Sequence, residues 1–119
     1  MAINFRNRVG RYDRITEFEA KATAFGADDA APSGATTTWY GVYGSNTLQF
    51  FIVPDGTVTS YDVKVYQLLD NVWVEMLGEA RTGLTAQHER QINVTTKQVY
   101  IRIFNIAGSG NVTTYAGSF

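Results

Sequence analysis

From residue 36 onward the chain is a succession of short β-branched and aromatic runs, each closed by a turn signal. Residues 36–43 (TTTWYGVY) and 47–53 (TLQFFIV) flank Gly44-Ser45-Asn46, and Pro54-Asp55-Gly56 follows. In that last turn Pro presets φ and Gly accepts a positive φ. Residues 58–69 and 72–77 flank Asp70-Asn71, and 89–95, 98–107 and 111–117 complete the series, with Gly108-Ser109-Gly110 turning the last pair. Strands at intervals of roughly 8–12 residues, with turns between them, predict an all-β fold, an antiparallel β-sandwich or jelly-roll. No stretch after residue 36 shows the 3.6-residue period that a βαβ architecture would require.

The hairpin around Asp70-Asn71 predicts its own register. Both turn residues tolerate the left-handed conformation that a two-residue loop demands. Such a loop places Leu69 opposite Val72, Gln67 opposite Val74 and Val65 opposite Met76, a face that is apolar apart from Gln67 and is expected to be buried. The other face pairs Leu68 with Trp73, Tyr66 with Glu75 and Lys64 with Leu77, and is mixed. Slipping by one residue scrambles both faces, so turn and pattern agree.

The first 35 residues read differently. Residues 1–16 are predicted to be an extended arm. Within 17–25, Phe18, Ala20, Ala22 and Ala24 alternate with polar residues, which favours a strand, although Tyr12, Ile15, Phe18, Ala22 and Phe25 also mark one face of a helix. Residues 26–35 (GADDAAPSGA) are loop by composition, and the adjacent Asp28 and Asp29 read as a solvated turn. The expected organisation is an arm and linking segment over 1–35 and a sandwich domain over 36–119.

Little in the sequence supports catalysis. There are no cysteines, which removes disulfides, thiolate metal sites and Cys nucleophiles together. The single histidine, His88, falls in a polar stretch expected to be an exposed loop, and no nucleophile-elbow, zinc or calcium-loop motif accompanies it. The expectation is a protein that is not an enzyme and takes no metal or cofactor. A net charge of −1 sets up no field to attract nucleic acid or an acidic membrane. No signal peptide is read at the N-terminus and no run reaches the roughly 18–20 apolar residues of a membrane helix, so neither secretion nor a membrane partner is expected. Two glycosylation-type triplets, at Asn93 and Asn111, read as strand-end and turn residues.

Three groups of residues are candidates for binding. Arg6, Arg8, Arg11 and Arg14 are four of the ten basic residues, and such an arm can bind nucleic acid or the acidic surface of a partner protein. On the 98–107 strand, Val99, Ile101 and Ile103 are natural core, while Tyr100, Arg102, Phe104 and Ile106 make the opposite face read as an interface. That face is covered either by another chain or by the N-terminal segment of the same one. Trp39, Tyr40 and Tyr43 are either sugar- or peptide-stacking aromatics or part of the sandwich core.

The hairpin SYDVKVYQLLDNVWVEML, the strand pair QVYIRIFNIAGSGNVTTYAGSF, the lack of cysteine and the arm together resemble the small β-sandwich decoration (cement) proteins of tailed bacteriophage heads. The resemblance covers about the C-terminal half of the chain and carries no residue assignments. It implies a virion protein made in the host cytoplasm. As a homo-oligomer, expected to be a trimer, it would bind a major capsid protein or another virion protein through the arm and the Tyr100/Arg102/Phe104 face. A tail or head-fibre role fits the same features.

Overall fold

In the computed structural model of the chain, residues 18–33, 40–41, 47–96 and 98–118 are described. They form nine strands: β1 (Glu19–Ala24), β2 (Tyr40–Gly41), β3 (Thr47–Pro54), β4 (Val58–Leu69), β5 (Val72–Glu75), β6 (Arg81–Leu84), β7 (His88–Asn93), β8 (Gln98–Gly108) and β9 (Asn111–Ser118). A single 3-10 turn, Leu77–Glu79, separates β5 from β6. One antiparallel sheet runs β1-β9-β3-β7; the other runs β2-β8-β4-β5, with β6 also paired to β4. The two sheets pack face to face, so the expected all-β sandwich is what forms.

Alternation decides which side chains fill the core. Leu48, Phe50 and Ile52 of β3 point inward against Tyr61, Val63 and Val65 of β4 and Val99, Ile101 and Ile103 of β8, all at most 1% exposed. Each buried aliphatic or aromatic side chain contributes about 1.5–3 kcal/mol. Tyr61 is wholly buried and donates its hydroxyl proton to the Ala86 carbonyl at 2.7 Å, which satisfies its one polar atom. Burial pushes its phenol pKa up to about 12.

The hairpin register is as the turn predicts. Leu69 pairs with Val72, Leu68 with Trp73, Gln67 with Val74 and Tyr66 with Glu75. Asp70 and Asn71 take φ of 50° and 65°. The Met76 N–H donates to the Val65 carbonyl at 2.8 Å, extending the pairing one step past β5. Burial of the apolar face is only partial. Val65 is buried and Met76 packs on the core, but Leu69, Val72 and Val74 are 40%, 59% and 42% exposed.

The period-two reading of 17–25 as a strand holds: residues 19–24 pair along their whole length with β9 as the end strand of that sheet. Strand β6 goes unread in the sequence because RTGL has neither alternation nor β-branched content beyond one Thr. Of the strand expected over 36–43, only Tyr40–Gly41 falls within the described residues.

Candidate functional site

Strand β8 was the leading candidate surface, and its geometry begins with a bulge. Val63 pairs with Ile103 and Asp62 with Phe104, but Ser60 pairs with Ala107, so β8 carries an extra residue in between. Asn105 absorbs it at φ 52°, a left-handed conformation that Asn tolerates better than most residues. The bulge reverses the parity of the strand. Ile106, expected on the outer face with Tyr100, therefore turns inward and joins the core at 6% exposure. The Asp62 carboxylate holds the distortion: Oδ2 accepts the Asn105 side-chain amide at 2.8 Å, and Oδ1 accepts the Gly83 N–H of β6, also at 2.8 Å.

The remaining outer face is covered by the chain itself. Tyr100 is 4% exposed, with the rings of Tyr66 and Trp73 edge-on to it at 6.2 and 6.0 Å. Its hydroxyl donates to the Ala30 carbonyl at 3.0 Å, and burial, with the nearby Asp29 charge adding, pushes its pKa up to about 12. Arg102 donates from Nε to the Asp29 carbonyl and lies 4.0 Å over the Phe104 ring, on which Lys64 also sits. Arg102 and Phe104 are half-buried. Of the four β8 residues proposed for a partner, these two alone keep appreciable exposure.

Asp28 and Asp29 are where the sequence reading missed most. They do more than make a solvated turn: Asp28 is exposed and Asp29 half-buried, and both carboxylates accept backbone N–H groups of β8. Among the described residues, strand β2 pairs with β8 at Val99 and Gln98, and farther along β8 backbone groups are met by side chains of the β1 segment. Lys21 Nζ donates to the Ile101 carbonyl at 2.8 Å, the Ile103 N–H donates to Asp29 Oδ2, and the Asn105 N–H donates to Asp28 Oδ2. The same Asp29 oxygen accepts Lys21 Nζ at 2.6 Å and the Thr23 hydroxyl at 3.3 Å. Burial lowers the Lys21 pKa, and the hydrogen bond to Asp29 opposes it. Adjacent carboxylates after Gly26-Ala27, three positions past the end of a period-two run, were the available signal.

His88 opens β7 and does not lie in an exposed loop. Its ring is edge-on to Phe50 at 6.3 Å, and Nε2 is buried without a hydrogen bond. Burial and the charges of Arg81 and Arg90 lower its pKa. Beside it Arg90 and Glu79 form a two-pronged ion pair at 2.8 and 2.9 Å. Among the described residues no group of three His, Cys, Asp or Glu could hold a metal ion.

Arg6, Arg8, Arg11 and Arg14, with Trp39 and Tyr43, lie outside the described residues; Tyr40 is described as backbone in β2. Near that strand's end of the sheet, Leu68, Asp70, Asn71 and Gln98 line an open depression of about 310 Å³.

No protein-family model matches the chain, and no curated protein matches it. Among solved structures it is similar to the SPBc2 prophage-derived protein YomS. The two share 16% identity over 88% of this chain and 96% of that one, with a TM-score of 0.51. At that identity the likeness is one of fold.

Proposed function

We propose that this chain is a non-enzymatic structural component of a bacteriophage particle, and specifically a decoration protein that braces a capsid shell through protein–protein contacts. The observation that carries the reading is the two-sheet architecture shared, across nearly the whole of both chains, with a prophage-derived protein. Two features of the chain support it. The outer aromatic face of β8 is filled internally, and among the described residues the large apolar side chains left exposed lie on the β4–β5 hairpin, on the turn after it, and on or beside β1 and β9. The four arginines within residues 6–14 supply a basic segment suited to an acidic protein surface. The partners under this reading are further copies of the chain and a capsid protein, and the location is the virion.

The test is binding to purified shells that lack the protein. Full-length chain should sediment with the shells, and a variant lacking residues 1–16 should bind more weakly while keeping its melting transition. Failure of the full-length chain to bind any shell from its own host's phages sinks the reading. The alternative, a carbohydrate- or peptide-binding module using Trp39, Tyr40 and Tyr43, has no support among the described residues beyond the open depression beside Gln98.

A further inference from the structure

At the tip of the β4–β5 hairpin, Leu68, Asp70 and Asn71 meet Gln98, the first residue of β8, around the open depression of about 310 Å³. Its place follows from strand register. Tyr66 pairs with Tyr100 and Gln67 with Val99, so Leu68 and Gln98 fall at the next step, on the face that carries the Tyr66 and Tyr100 rings. Trp73 pairs with Leu68 from the other side. Asp70 and Asn71 are set by the left-handed turn itself, at φ of 50° and 65°, so the backbone fixes where their short side chains begin.

The polar groups around this depression are uncommitted. Among the described residues Asp28, Asp29, Asp55 and Asp62 each accept hydrogen bonds, while the Asp70 carboxylate accepts none. The side-chain amides of Asn71 and Gln98 also bond to no described residue, whereas Gln67 nearby accepts the Thr95 N–H at 2.8 Å.

The chemistry of these groups selects a ligand class. The described lining holds no cation, and the Asp70 carboxylate repels an anion, which disfavours phosphates and carboxylates. One carboxylate and two amide oxygens fall short of the roughly 6–8 oxygens that calcium takes. A wholly apolar ligand would take three polar side chains out of water without pairing them. A neutral ligand dense in hydroxyls meets every group. A carboxylate accepts neighbouring O–H groups, each carboxamide both donates and accepts, and Leu68 offers an aliphatic surface to the C–H face of a sugar ring. The volume sits at the low end of the roughly 300–1,000 Å³ of small-molecule sites, which suits one ring held from one side.

We infer that the depression between the hairpin tip and β8 is a saccharide subsite. It takes one pyranose ring of a glycan, with Asp70, Asn71 and Gln98 as its hydrogen-bonding groups and Leu68 beneath the ring. The site uses none of Trp39, Tyr40 and Tyr43, and it is separate from shell binding, so a decoration protein would carry it as an additional activity. A single ring in so open a site binds with a Kd of about 1–10 mM.

The test titrates isotope-labelled full-length protein with D-glucose, D-galactose and N-acetyl-D-glucosamine, each well past that concentration, and follows the amide signals by NMR. At least one sugar should shift the side-chain amide signals of Asn71 and Gln98 and the backbone signals of Asp70 and Asn71, and saturate them. Asp70→Gly keeps the left-handed turn and removes the carboxylate; Gln98→Ala removes one amide. Each should weaken binding about tenfold or more with the melting transition retained. Should Asp70→Gly fail to fold, Gln98→Ala decides alone. No response to any of these sugars overturns the inference, and so does unchanged affinity in Gln98→Ala. Inorganic phosphate, calcium chloride and tetra-alanine are titrated alongside. Saturable shifts at the same signals with one of these, and none with the sugars, would make the site one for an anion, a cation or a peptide and overturn it too. Shell binding by Gln98→Ala should match that of the unaltered protein, so the two readings fail separately.

Discussion

Asp29 and Ile103 exchange two hydrogen bonds: the Asp29 N–H donates to the Ile103 carbonyl, and the Ile103 N–H donates to the Asp29 carboxylate, each at 3.0 Å. A side chain here does what the backbone of a neighbouring strand would do. The segment after β1 thereby ties one sheet to the other.

Asp29→Ala removes the acceptor shared by Ile103, Lys21 and Thr23, and strands a largely buried ammonium. Lys21 and Asp29 each keep 15% of their side-chain surface in water, so the cost is set below that of a fully buried pair, at about 2–3 kcal/mol. Asp28→Ala loses one bond to Asn105 and should cost about 1 kcal/mol. Urea denaturation of both variants measures the difference. Equal losses would mean that Asp29 has no special part in holding β8.

The hairpin gives a contrast within one face. Val65 is fully buried and Val72 is 59% exposed, although both lie on the apolar side of the same ribbon. Val65→Asp should cost about 4 kcal/mol or more by burying an unpaired charge, and Val72→Asp within about 0.5 kcal/mol of nothing. Thermal melts on dilute protein decide it; comparable losses at both sites would show the hairpin end to be as well covered as its base.

Gly108 and Gly110 sit at φ of 92° and 85°, and a Cβ on either would collide, with the Thr57 backbone at one and the Thr57 and Asp55 side chains at the other. Those groups already bind the 109–111 turn: Ser109 N–H donates to the Thr57 carbonyl, and Asn111 N–H to the Asp55 carboxylate. Alanine at Gly108 should cost more than about 2 kcal/mol, because the obstruction there is backbone. Gly83→Ala, at φ 65° with open space, should cost about 1 kcal/mol from conformation alone. An order reversed in denaturation midpoints would rule out the steric account.

His88 sets a pH dependence whose sign follows from its environment. Its folded pKa is lowered, so the unfolded chain binds the proton more readily and stability falls as pH drops below about 6.5. The loss is complete once pH is below the folded value. His88→Gln should flatten the stability profile below about pH 6.5. A slope that survives the substitution would assign it elsewhere.

Tyrosine titration reads the core directly. Tyr61 and Tyr100 are both held at about 12 by burial, so two phenols should ionise later than the usual value near 10. A raised folded pKa favours the neutral phenol, and stability is lost as pH climbs past 10. Absorbance of the phenolate against pH checks this, with Tyr100→Phe removing one late step.

The sequence by itself determined the strands whose periodicity is local. The β4–β5 register was legible because two left-handed-tolerant residues and an alternating ribbon can be satisfied in one alignment only. The inward row of Val99, Ile101 and Ile103 was legible for the same reason, since β-branched residues two apart must share a face. Tertiary structure decided whatever depended on a neighbour. Ile106 went to the core because one left-handed residue, Asn105, reversed the parity of β8, and the Asp62 carboxylate that fixes it lies 43 positions away in sequence. Asp28 and Asp29 became partners of β8 because the fold carries the segment after β1 alongside that strand, within reach of the Ile103 and Asn105 N–H groups. Leu69 and Val72 stayed exposed although they lie on the same face of the ribbon as buried Val65. Alternation tells which side of a strand an apolar residue occupies; only the packed neighbour determines whether that side is dry.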